Sequence, residues 1–290
     1  MRIIEYTVEE YFEGKKLISF LRGHVKISVR LLRSLKRIEG GIKITGENAR
    51  TIDLLHGGDR VTLSIPEDEN HSIPTDYPLK VVYEDEDVLV IDKPAMLPMH
   101  ESHNHQGDTL ANAVAGYLTK KGKSLSFRAV GRLDKGTSGL VICALNSHAA
   151  ARLSGNFEKT YYAIATGHYE GSGTIDKPIY RPDPMKTYRT ADDRGDRAVT
   201  HYEVLESGED YSFLEIHLET GRTHQIRVHF AYLGTPLYGD RMYGQEHPII
   251  GRQALHCGEV VFNHPVTGER IEVRAELPED MAMLLKEKRK

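Results

Sequence analysis

The run Leu140-Val141-Ile142-Cys143-Ala144-Leu145 carries no polar side chain, and the small residues Gly136-Thr137-Ser138-Gly139 stand directly before it. A short apolar run bounded by turn residues predicts a strand buried on both faces. Any fold open to this chain must thread that strand through a core and start it from a tight turn. The turn holds a carboxylate, Asp134, with Arg132 two residues ahead of it. In an extended segment two such residues project from the same face. Glycines at 131, 136 and 139 allow another chain or a ligand to come close. A lone Asp in a turn is most often an Asx-turn residue or a cap. A carboxylate beside a guanidinium, however, is held ionised, which suits a nucleophile or a general base.

Further β-branched or alternating runs predict strands at 87–94 (DVLVIDKP, stopped by Pro94), 161–167 (YYAIATG), 198–206 and 211–219. Residues 108–123 predict a helix, capped by Asp108 or Thr109, with Leu110, Val114 and Leu118 on one face and Gly122 at its end. A second helix is predicted over 223–234, with Thr223 as N-cap and Ile226, Phe230 and Leu233 toward the core. Runs of strands with a few helices on one side predict an α+β fold, a largely antiparallel sheet with flanking helices. At 290 residues and 39% hydrophobic, the chain can bury one good core and a second small one.

Charge divides the sequence. Residues 1–65 hold 12 Lys and Arg against 8 Asp and Glu, a net of +4, whereas the whole chain carries −4. Local patches matter more than the total for phosphate contact. Within the basic piece, Val29, Leu32, Leu35 and Ile38 approximate one helix face, while Arg30, Arg33, Lys36 and Arg37 fall elsewhere on the turn. Gly40-Gly41 stops that helix, and short strands GIKIT and RVTLSI follow. This arrangement resembles the small alpha-L fold seen in ribosomal small-subunit protein four, which implies RNA docking through those four cations. Residues 66–78 are acidic, proline-bearing and without period, and predict a linker to a larger domain at 79–290.

Cys143 and Cys257 are the two cysteines, and no CxxC occurs. That argues against a disulfide framework or zinc knuckle and for a reducing compartment. The start, MRIIEYTVEE, has neither a basic n-region nor an apolar h-region, and no apolar run approaches the ~18 residues that span a bilayer. A cytoplasmic protein without signal peptide or membrane span is expected.

GRLDKGTSG, 131–139, resembles the HRLDxxTSG motif of the RluA-type pseudouridine synthases, departing only at Gly131, where the family has His. Other segments follow in family order. KTYYA (159–163) resembles the KxY segment, ETGRTHQIRVH (219–229) the GRxHQIRxH segment, and DVLVIDKPAMLPMH the opening VVNKPAGLxVH, with Met96 at a usual Gly. LGTPLYGDRMYG (233–244) and LHCGEVVFNHPVTGE (255–269) match later landmarks. The resemblance spans about residues 79–280. It implies the pseudouridine synthase fold, isomerisation of uridine in rRNA or tRNA, and Asp134, Tyr161 and Arg227 as the catalytic residues. Arg132, Lys159, Arg222, His224 and Gln225 are expected to bind RNA or support the site.

The chemistry makes demands that these residue types meet. Isomerising uridine breaks its glycosidic bond, turns the base and rejoins it through carbon 5. A stacked base cannot do this, so it must be flipped into a pocket at a cost of a few kcal/mol. Asp134 would assist at the sugar or base; attack on the base, attack at the ribose carbon and abstraction of a ribose proton are all open to it. Arg227 would keep it ionised. Tyr161 would stack on the base and help proton transfer at carbon 5, and Arg132 would fill the gap left in the RNA stack or grip phosphate. On their own, Tyr161 on an apolar strand reads as a core residue and Arg227 as a surface charge. His100, His103 and His105 lack the HExxH register, so they are read as a polar loop near the mouth of the site, with no metal and no cofactor expected. A monomer without protein partners is expected. Two rivals are a catalytically inactive RNA-binding protein of the same fold and a carboxylate glycosidase, which would need a partner acid for the cluster at 84–87.

Overall fold

The computed structural model describes residues 1–68 and 70–290. It begins with a four-stranded antiparallel sheet, in which β1 (Arg2–Thr7) pairs with β4 (Arg60–Ile65), β4 with β2 (Ile42–Ile44) and β2 with β3 (Glu47–Asn48). Two helices cross it, the one-turn α1 (Leu17–Ser19) and α2 (Val29–Leu35). Phe20, Leu21, Leu31, Leu32, Leu35, Leu55 and Leu63 are among the residues that fill a core of its own. Val29 departs from its expected place on the apolar face. Ser28 caps the helix by accepting from the Leu31 N–H at 3.1 Å, which makes Val29 the first helical residue and leaves it exposed; Leu31 takes the inward position.

The larger sheet is built around the strand that the apolar run predicts. β8 (Ser138–Ala144) is buried along its whole length. In order, the path is β10 (Ser172–Asp176), β13 (Val199–Ser207), β14 (Tyr211–Leu218), β9 (Phe157–Thr166), β15 (Leu255–Asn263), β8, β6 (Val88–Lys93) and β5 (Lys80–Glu84). β7 (Arg128–Val130) pairs with β8 and β16 (Arg270–Arg274) with β15. Every pairing is antiparallel except β15 with β8. Helices α3 (Leu110–Lys120), α4 (Ser147–Leu153), α5 (Gln225–Tyr232) and α6 (Glu279–Lys288) flank it. The fold is α+β with a largely antiparallel sheet. A small ribbon, β11 (Ile179–Tyr180) with β12 (Thr190–Ala191), stands apart between β10 and β13.

The described residues of 66–78 form neither helix nor strand, yet Ile73 and Thr75 strap this segment along α3. Asn112 Nδ2 donates to the Ile73 carbonyl at 2.9 Å, Thr75 N–H to the Asn112 carbonyl at 3.1 Å, and Thr75 Oγ1 to the Gly107 carbonyl at 2.8 Å. The strap explains a glycine inside a helix: a Cβ on Gly116 would lie 2.1 Å from the Thr75 carbonyl oxygen. The two sheets also touch directly. Arg2 donates twice to the buried Asp87, at 3.0 and 2.8 Å, and the Tyr6 hydroxyl meets His148 Nε2 at 3.1 Å. Among the described residues, no helix is long and apolar enough to cross a membrane.

Candidate active site

Asp134 lies in the turn between β7 and β8, and the rest of the molecule fixes that turn. Thr137 N–H donates to the Asp134 carbonyl, and Gln253 Nε2 to the Thr137 hydroxyl, both at 3.1 Å. Arg252, paired with Asp280 at 2.7 Å, donates to the Gly136 carbonyl. Both flanking glycines are answered by contacts: a Cβ would come within 2.4 Å of Gln253 Oε1 at Gly136 and within 2.2 Å of the Cys257 carbonyl at Gly139, where φ is +108°. From β6 the buried Lys93 ammonium donates to the carbonyls of Pro94, Leu97 and Lys135, tying the KPAML turn to the residue after Asp134.

Arg227 arrives from α5. Its Nη1 donates to Asp134 Oδ2 at 3.2 Å, while Nε and Nη2 grip both oxygens of Asp240 at 2.7 and 2.8 Å. Exposure falls along this row: the side chains of Asp134, Arg227 and Asp240 are 15%, 8% and 0% exposed. One guanidinium therefore bridges a carboxylate at the cleft and another sealed behind it. Burial pulls the Arg227 pKa down, but the hydrogen bond and charge of Asp240, with Asp134 adding, leave it raised. The pairing that the resemblance implies is present.

Helix α5 does not start as the sequence predicts. Thr223 is not its N-cap; His224 holds that position in the left-handed region, at φ +59°. Gln225 imposes this bend. Its Oε1 accepts from the Arg222 N–H and the Thr220 hydroxyl, and its Nε2 donates to the Val199 carbonyl and Thr200 hydroxyl. The bend points His224 at the cleft, with Nε2 3.8 Å from Asp134 Oδ2 and Nδ1 2.9 Å from the Tyr243 hydroxyl. Burial lowers the His224 pKa. Tyr243 also accepts from the Arg189 N–H, so its hydroxyl joins Arg189 to the His224 ring. The other ring nitrogen, Nε2, faces Asp134.

Tyr161 faces the same cleft from β9, together with Asp134, Arg132, Arg222, His224, Gln225 and Arg227, around a space of about 60 Å³. Its ring is nearly buried, and no hydrogen bond among the described residues uses its hydroxyl. Burial first, then Cys257 and Asp134, hold its pKa well above the ordinary phenol value. Arg132 is exposed at the mouth, and Arg222 pairs with Asp196 at 3.7 Å.

Lys159 is elsewhere. Its amine is buried without a hydrogen-bond partner, and burial lowers its pKa. It is not among the residues that line the cleft. Gly131 sits above it at φ +74°, where a Cβ would meet Phe157 at 2.9 Å and Lys159 Nζ at 3.2 Å. Met96, also at a family glycine, keeps a left-handed φ of +66°.

His100, His103 and His105 do not converge. His100 packs on Phe127, and His105 is bonded to Asp108 and to Lys135 Nζ, placing that loop beside the Asp134 turn. Ligand-like atoms come together elsewhere, in Asp85, Asp87 and His264, all within 4.8 Å. Arg2 and Asn146 already occupy Asp87, and Asp85 accepts from two backbone N–H groups and Tyr83. Arg30, Arg33, Lys36 and Arg37 are exposed on and after α2, and three of them line a groove with Val29, Ser34 and Ile38.

Asp240 and Tyr243 are missed by sequence reasoning. They lie in the quoted LGTPLYGDRMYG stretch, but nothing local marks an Asp after a glycine as the buried anchor of an arginine.

The cleft thus holds a carboxylate, a bridged guanidinium and a free phenol, in the segments that carry the resemblance. Residues 87–232 match the family described as RNA pseudouridylate synthase. The chain belongs to that family. Its members are isomerases that convert uridine in RNA to pseudouridine. The chain is 37% identical to the uncharacterized RNA pseudouridine synthase YjbO of Bacillus subtilis (strain 168), over 97% of this chain and 98% of that one. It is 38% identical to the ribosomal large subunit pseudouridine synthase D of Xanthomonas campestris pv. campestris, over 85% and 80%. The solved human RNA pseudouridylate synthase domain containing 1 superposes with a TM-score of 0.56 at 26% identity, covering 74% of this pseudouridine synthase and 96% of that chain.

Proposed function

We propose that this chain isomerises specific uridines in ribosomal RNA, flipping the base into the cleft and using Asp134 as the catalytic carboxylate. The observation that carries this is the Asp134–Arg227 pair opening on the Tyr161 ring. An ionised Asp134 needs a compensating cation once RNA excludes water, and Arg227 supplies it at 3.2 Å without releasing Asp240. Tyr161 offers its ring to the flipped base and its unpartnered hydroxyl to the proton that must leave carbon 5. With its pKa raised, it acts as a phenol that relays a proton and not as a standing phenolate. His224 Nε2 faces the same Asp134 oxygen that Arg227 holds, 3.8 Å away, and Arg132 enters the RNA where the base has left. Lys159 acts only from behind, through the packing of β9.

Ribosomal RNA is favoured over tRNA because several relatives are named large-subunit synthases. Residues 1–65 serve as an alpha-L-like docking unit through Arg30, Arg33, Lys36 and Arg37, and residues 79–290 do the chemistry in the cytoplasm. An unmodified large-subunit rRNA transcript incubated with the protein should acquire pseudouridine at one or a few positions. A transcript left wholly unmodified, when a tRNA pool is modified instead, would overturn the substrate assignment. The inactive reading is disfavoured by the intact Asp134, Tyr161 and Arg227.

A further inference from the structure

Between β10 and β13 the chain leaves the sheet, runs out along β11 and returns along β12. Along this excursion Tyr180, Arg181, Arg189 and Arg194 line a groove of about 400 Å³, and Arg222 forms its far wall. Arg222 also lines the Asp134 cleft, so the two spaces share a side. The excursion is anchored to the active site. Arg189 N–H donates to the Tyr243 hydroxyl at 2.9 Å, and the Tyr188 and Tyr243 rings stack at 5.1 Å. Tyr243 in turn holds His224 and lies 5.0 Å from the Arg227 guanidinium.

The charges of this groove do not balance. Its acidic residues are all engaged: Asp192 with Arg194, Asp196 with Arg222, Asp183 with Lys186 and Asp193 with Lys177. Arg181 and Arg189 have no carboxylate among the described residues. They donate only to backbone carbonyls, Arg181 to Lys186 and Arg189 to Lys186, Thr187 and Tyr188. Arg132, exposed at the adjoining mouth, has no carboxylate partner there either. After burial, the charges of Arg181 and Arg132 depress the Arg189 pKa, so these cations feel one another. Like charges held together by carbonyls, beside a cleft, call for an anion.

We infer that Arg181 and Arg189, with Arg132 and Arg222 completing the ring, form a phosphate clamp for the RNA strand that carries the target nucleotide. This rests on the pseudouridine synthase reading of the cleft. The clamp would grip backbone phosphate beside the flipped base, fixing register without reading sequence, and guanidinium groups suit that bidentate task.

The test is binding of a fluorescent decauridylate to the full chain at a series of salt concentrations. Each phosphate contact adds about 0.7 to the slope of log affinity against log salt for single strands. The Arg181→Gln/Arg189→Gln double variant should lose about 1.4 from that slope and bind at least tenfold more weakly at low salt. Arg181→Lys should keep the slope, because charge and not shape sets it. Lys286→Gln, remote on α6, should leave everything unchanged. Since Arg189 also holds the excursion's carbonyls, Arg181→Gln alone is measured too, and should lose about 0.7. Equal slopes in wild type and double variant, or no decauridylate binding at the lowest salt, would overturn the clamp. Failure of the wild type to form pseudouridine would instead contradict the proposed reaction, because binding is read without turnover.

Discussion

Asp240 never touches the cleft, yet it decides where Arg227 can be. Three guanidinium contacts are divided two to Asp240 and one to Asp134, so the arginine is held back from closing fully on Asp134. Asp240→Ala leaves a buried guanidinium half unpaired and should cost about 3–5 kcal/mol of stability in urea unfolding. Asp240→Asn keeps the shape with less charge; it should fold and still lose turnover, and unimpaired turnover would show that Arg227 needs no anchor. Tyr161→Phe removes a cleft hydroxyl that has no hydrogen-bond partner among the described residues. Turnover should fall roughly 100-fold or more, the scale of a lost proton-transfer group, with RNA affinity by anisotropy nearly unchanged. A Phe variant as fast as wild type would leave Tyr161 only its stacking face. At this scale Asp134, Tyr161 and Arg227 could be singled out because their motifs are local in sequence, and the fold brings the three to one cleft. Asp240, Tyr243 and the Gln253–Thr137 brace were not, since each acts on a residue far along the chain. Lys159 lies off the cleft for a related reason: its strand face, not its charge, decides the burial of its amine.

Among the elements, the strands were the most legible. β-branched runs ended by Pro or Gly lie within a few residues of β4, β6, β8, β13 and β14. Helix ends were less so, because Gln225 overrides the capping chemistry that Thr223 offers, and Ser28 moves Val29 out of the core. The strap at 66–78 has no period to read; it is specified by its contacts with α3. Gly116 tests that account. Alanine should favour an exposed helix by about 1 kcal/mol over glycine. Here its Cβ would meet the Thr75 carbonyl oxygen at 2.1 Å. Gly116→Ala should therefore lower the melting temperature, by overpacking worth about 1–3 kcal/mol; a raised melting temperature would mean that the strap is not seated on α3.

For the whole molecule, the basic N-terminal unit is joined by more than the chain. Arg2 neutralises Asp87, which is 2% exposed in the larger unit. Arg2→Ala takes the cation from that carboxylate and leaves it the Asn146 amide, and chemical unfolding should show a loss of about 3 kcal/mol, with faster hydrogen exchange in β1. Two buried histidines contribute to the pH dependence of stability. Burial pushes the pKa of both His148 and His256 down to about 4. Between there and the ordinary 6.5 the unfolded chain binds more protons, so stability rises with pH across that window. Their contribution is complete above about 6.5 and lost as pH falls toward 4. The melting temperature should be several degrees lower at pH 5 than at pH 7, and His148→Gln should flatten part of that dependence; an equal slope in the variant would place the titration elsewhere.

The most direct measurement is tritium release from carbon-5-labelled rRNA transcript by Asp134→Asn, with RNA binding measured beside it. The substitution replaces one carboxylate oxygen without changing volume and leaves the turn's braces in place. The variant should bind RNA as wild type does and release no tritium above background. Release at a rate near wild type, from a folded and RNA-bound Asp134→Asn protein, would contradict the assignment of Asp134 as the catalytic carboxylate.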